Sequence, residues 1–94
     1  MTLQQVRELG ADLLGGAFTE IPDHGWQELD KESIATICDQ AQQAHAAAKN
    51  KDDAANAKMI EQRCKESLDK INSGARIFSV VREGVRAFAA TTPG

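Results

Sequence analysis

The stretch that most constrains this chain is "GARIFSVVREGVRAFAA", residues 74 to 90. It places apolar or small residues around nearly the whole circumference of any helix drawn through it. A helix of a small free-standing protein normally buries one stripe and leaves the opposite face polar. Ninety-four residues supply one core and no second. Much of the apolar content is alanine, fifteen residues of it, which favours helix but brings little area to bury. The reading that follows is an excess of apolar surface near the C-terminus, held for a partner.

Only two prolines occur, and no run alternates β-branched with polar residues. The expected fold is all-α, a small bundle of three to four helices built around a long antiparallel helical hairpin. Thr2 and Gln5 have capping-box spacing, and a helix is expected over residues 3–14, with Leu3, Val6, Gly10 and Leu13 on one face. Gly15 and Gly16 end it. The segment "AFTEIPDHGWQELD" is irregular but carries Phe18, Ile21, Trp26 and Leu29, apolar enough to plug the end of the bundle. The alternative reading is a recognition loop around Trp26, since Trp is enriched at binding hot spots.

Asp30 is a good N-cap for a helix over 31–49, and Asp52 or Asp53 caps another over 54–72. From Ile60 one seam of three- and four-residue steps passes through Cys64, Ser67, Ile71, Gly74, Phe78, Val81, Val85 and Phe88. The Asn-Ser-Gly at 72–74 signals a break, whereas the unbroken phase argues for continuity. Residues 75–90 are therefore a fourth helix, or one continuous or kinked helix with 54–72. The whole chain reads as a single helical domain.

Folding the two middle helices back about Lys51 sets Cys38 opposite Cys64. A chain lacking a secretory signal at its start belongs by default in the cytoplasm, a reducing compartment, which favours two facing thiols. A disulfide is the alternative and would stabilise by about 3 kcal/mol through loop entropy.

Catalytic or metal chemistry finds little support. Cys38 and His45 stand two turns apart on one helix, about 10 Å by rise per residue, too far to share a tetrahedral ion. His24 beside Asp23 has no nucleophile or second histidine nearby, and Pro22, Asp23 and Gly25 are turn formers. No enzyme activity, cofactor or metal is expected. Net charge is −3, from fourteen acidic and eleven basic residues, which makes nucleic acid a poor partner. No apolar run is long enough to span a membrane.

The leading expectation is a non-catalytic interaction module: a small inhibitor, adaptor or secretion-type chaperone. It would bind through the apolar C-terminal helix and the Trp26 loop, using Trp26, Phe78, Val81, Arg82, Val85, Arg86 and Phe88. A self-assembling structural protein that pairs with a second copy comes second. A small metal-dependent protein or enzyme comes third.

Overall fold

The computed structural model describes residues 1–15 and 21–93. Gly16 and Phe18 lie outside those residues. The order of elements is α1 (Leu3–Glu8), β1 (Ala11–Leu14), β2 (Gln27–Leu29), α2 (Lys31–Ala47), α3 (Lys51–Asn72), β3 (Ile77–Arg82) and β4 (Val85–Thr91). The fold is therefore α+β, with 51% helix and 23% strand, and the all-α bundle is overturned. The strands form one antiparallel sheet in the order β1-β4-β3-β2.

The C-terminal stretch is the main correction. It is a β-hairpin, β3 and β4, with Ile77 opposite Ala90 and Arg82 opposite Val85. Glu83 and Gly84 make its two-residue turn, with φ of 54° and 79°. Positive φ at both positions is the type I′ geometry, whose twist matches that of the flanking strands. The hairpin is apolar on both sides because both faces of the sheet are covered. A strand buried on both faces loses its alternation and reads as a continuous apolar run.

On one face lie α2 and α3. There Ile34, Ile37, Cys38 and Cys64 pack with Ala75, Ile77, Phe88 and Ala90. On the other face α1 and the approach to β2 cover the sheet, and Val6, Ala11 and Trp26 pack with Phe78, Val80, Ala87 and Ala89. Successive hairpin residues thus alternate between two cores, each centred on a fully buried aromatic of the hairpin, Phe88 in one and Phe78 in the other.

The first helix is also shorter than expected. Thr2 and Gln5 close a reciprocal capping box. Gly10, at φ 89°, then turns the chain out of the helix, and Ala11–Leu14 continue as β1 beside β4. Leu13 packs on the α1 side and Leu14 on the α2–α3 side, the division a strand requires.

The helical hairpin forms one layer of the molecule rather than its whole. Asp30 caps α2 through a hydrogen bond from the Ser33 amide, 2.7 Å. Asn50, not Asp52 or Asp53, caps α3, accepting from the Asp53 amide at 2.8 Å. That leaves Asp52 and Asp53 in the first turn, where negative charge suits the helix dipole. At the other end Ser73 is the C-cap and Gly74 sits at φ 100°. The Asn-Ser-Gly break is real, and the seam that ran across it was a coincidence of spacing.

Candidate functional site

Of the residues expected to meet a partner, the fold takes three inside. Trp26 is 1% exposed, Phe78 0% and Phe88 1%, so all three serve the core. Trp26 is pinned further by its indole N–H, which donates to the Pro22 carbonyl at 2.9 Å. Its backbone pairs with Met1 in both directions, at 2.7 and 3.0 Å. The remaining four, Val81, Arg82, Val85 and Arg86, gather at the distal end of the β3–β4 hairpin. Val81 is 55% exposed, one of three large apolar residues exposed among those described.

Strand alternation assigns these four to faces. Ile77, Ser79 and Val81 of β3 point to the α2–α3 side, together with Arg86 and Phe88 of β4. Phe78, Val80 and Arg82 point to the other side with Val85 and Ala87. Arg86 is half-buried, and its side chain crosses from β4 to β3, where Nη1 donates to Ser79 Oγ at 2.9 Å. Ser79 in turn donates to the Ala87 carbonyl at 2.8 Å. Burial lowers the Arg86 pKa by desolvating the guanidinium. An arginine still keeps its charge, so a cation is held partly out of water. Among the described residues neither Arg86 nor Arg82 joins an ion pair, whereas Arg76 is held by both Glu28 oxygens at 2.6 and 3.1 Å.

Among the described residues the hairpin end also lacks strand neighbours. β2 pairs with β3 only from Ser79 back to Ile77, so Val80–Arg82 run beyond it. Against the turn rests α3, whose Asn56 side-chain amide donates to the Gly84 carbonyl at 3.1 Å. An open groove of about 520 Å³ lies alongside, lined by Ala41, Ala44, Ala48, Asn56, Ile60 and Gly84 among others. Alanines supply five of its eleven lining residues, and Lys49, Asn50 and Asp53 line it as well.

Cys38 and Cys64, on α2 and α3, are joined as a disulfide with Cα atoms 5.6 Å apart. This is the alternative to the facing thiols favoured above. It sits in the core between the helical layer and the sheet. His45 faces Glu61 across the same seam, Nδ1 to Oε2 3.6 Å. His24 lies 3.3 Å from Asp23 with both side chains largely in solvent, so neither is desolvated for proton transfer. Among the described residues no three His, Cys, Asp or Glu side chains come together as metal ligands. No helix among them is long and apolar enough to cross a membrane.

No family model, curated protein or solved structure matches this chain. Sequence reasoning missed Asn56, which ties α3 to the turn. The one available signal was Glu83-Gly84 between two apolar runs, the spacing of a two-residue hairpin.

Proposed function

We propose that this protein is a non-catalytic interaction module that binds another protein stoichiometrically through the distal end of the β3–β4 hairpin. The observation that carries the reading is the meeting there of three features in one place. An exposed Val81, a strand edge without a strand neighbour among the described residues and a half-buried Arg86 that pairs with no carboxylate among them adjoin one another. Each is unfavourable in isolation. A bare strand edge invites pairing with other chains, and a partly desolvated cation favours an anion. A partner strand would relieve all three together. The docking surface differs from the one expected from sequence: it is an edge and two arginines, not a greasy helix face.

The test compares the native protein with a Val81→Glu, Arg86→Glu variant of matched secondary structure and disulfide content. Both are used for affinity capture from the native host, and any captured protein is then purified and titrated against each. One-to-one binding to the native chain and none to the variant is expected. Equal binding to both would refute the assignment of this surface.

A further inference from the structure

In a hairpin with a two-residue turn, the residues flanking the turn form a hydrogen-bonded pair, and the pattern alternates from there. Arg82 and Val85 are that pair, so Val80 with Ala87 and Phe78 with Ala89 also bond inward. Ser79 and Ile77 then aim their backbone groups at β2, where Gln27 and Leu29 stand opposite them. Val81 has the same outward phase and no strand beside it among the described residues. Among those residues its N–H and C=O meet no backbone partner.

The side chains around that residue define what could pair there. The Arg86 guanidinium lies over β3 rather than over its own strand, because Nη1 bonds Ser79, two residues from Val81 on the same face. A guanidinium has five N–H donors, and this one commits a single donor to a described residue. Arg82 projects from the opposite face of the same edge. Glu28, the carboxylate of β2, is already held by Arg76. Arg86 and Arg82 thus flank the edge from its two faces, with Glu83 in the turn beyond them, on a chain whose net charge is −3. An acidic strand would place carboxylates within reach of Arg86 on one face and Arg82 on the other, where bidentate pairing is strong.

We infer that the Val80–Arg82 edge accepts an extended acidic segment of another protein as an added strand, its backbone paired with Val81 and its carboxylates received by Arg86 and Arg82. Main-chain pairing supplies affinity in this mode, and the flanking side chains supply selectivity. The inference rests on the interaction reading above and names the partner's chemistry.

The test titrates the intact, disulfide-bonded protein with three short peptides and follows amide and arginine Nε–H signals by NMR. One alternates Glu with Val, one alternates Lys with Val, and the third repeats the first with alternate backbone nitrogens methylated. The Glu–Val peptide should shift the Val81 amide and the Arg86 Nε–H, and the other two should not. Arg86→Gln should weaken that binding by about tenfold or more, the size of a lost charged hydrogen bond. Arg7→Gln, on α1, should leave it unchanged. If Arg86→Gln fails to fold, Arg82→Gln and the contrast among peptides still decide.

Equal response to the acidic and basic peptides, or equal response to the methylated one, overturns the inference. So do shifts at Val81 that grow with protein concentration alone, which would identify a second copy. Silence toward all three peptides, with a host partner still lost on Val81→Glu, sinks the acidic strand and leaves the module. Retention of that partner by the variant sinks the module itself.

Discussion

Val80 and Val81 are the same residue type, adjacent in the chain, and the sheet puts them in opposite environments. Val80 is 4% exposed in the core under α1 and Trp26, while Val81 is 55% exposed at the hairpin edge. Truncating each to alanine removes the same carbon atoms. For Val80 the lost transfer energy, at about 0.8 kcal/mol per buried CH₂, plus the residual cavity gives about 2–3 kcal/mol. For Val81, with less than half its surface buried and open solvent to fill the gap, the same change costs about 0.5–1 kcal/mol. A chain of 94 residues has roughly 5–14 kcal/mol in total on the per-residue scale, so both variants should still fold. The difference corresponds to a gap of about 10 °C in melting temperature for a domain of this size. The assay is urea unfolding with the disulfide intact, read by the fluorescence of Trp26, the only tryptophan, which is buried and should report the transition sharply. A helical seam through Phe78, Val81, Val85 and Phe88 makes the opposite claim, with Val81 in the core and Val80 beside it. A larger loss for Val81→Ala than for Val80→Ala would therefore refute the strand assignment and with it the edge on which the function rests.

Three further outcomes are expected. The Cys38–Cys64 bridge spans a sequence separation of 26, which on the loop-entropy model is worth about 3.5 kcal/mol, so melting with and without a reductant should differ by roughly 15–25 °C; no change on reduction would show the bridge to be idle. At the hairpin turn nothing crowds a Cβ added to Gly84, yet its φ of 79° strains any L side chain, so Gly84→Ala should destabilise by about 1–2 kcal/mol in urea titrations. Glu83→Asn, which suits the left-handed conformation better, should stabilise. Asp30 accepts the Ser33 amide and Glu28 accepts the Arg76 guanidinium, and these bonds hold both carboxyls below their ordinary pKa. A carboxyl with a lowered folded-state pKa contributes stability above its unfolded pKa and loses it as pH falls through the folded one. Urea midpoints should thus be level near neutrality and decline on acidification. Asp30→Asn, which keeps a capping oxygen without the charge, should flatten part of that decline.

The local hydrogen-bonding devices were legible in the sequence, and the tertiary use of the apolar residues was not. Thr2 with Gln5, and Asp30, cap helices because a short oxygen-bearing side chain before a helical run has one favourable partner, the amide two or three residues on. Cys38 and Cys64 fall opposite each other because both helices keep a regular period about a short connection. Residues 77–90 mislead for a different reason. A strand covered on both faces has no alternation to show, and an apolar run without alternation also fits steps of three and four. The usual hairpin signal, Asn-Gly or Asp-Gly, is absent as well, since Glu83 occupies the first turn position against its conformational preference. Gly10 hid the end of α1 similarly: it stands at a helix-spaced position, and only its left-handed φ reveals a stop. The candidate site inherits both errors. Phe78 and Phe88 look like docking residues when a helix must expose them, and become core once each faces its own layer.

The two-sided sheet also resolves the shortage of apolar material that first suggested a greasy docking face. The shortage holds only for the perimeter of a helix, which a thin N-terminal helix and an alanine-rich hairpin cannot cover. A strand divides the same side chains between two faces, and each layer then needs to cover only half of them. Small residues make this close: Ala75 and Ala90 under α2 and α3, and Ala87 and Ala89 under α1 and Trp26, let the layers approach the sheet around a single large ring on each side. What is left over is backbone, not area. β2 stops at the level of Ser79 while β3 runs on to Arg82, so the hairpin outreaches its neighbour by Val80–Arg82. Affinity at such an edge comes from main-chain hydrogen bonds that any extended peptide can make. Selectivity must then come from the side chains flanking the edge, and here those are the two arginines that the described fold leaves without acids.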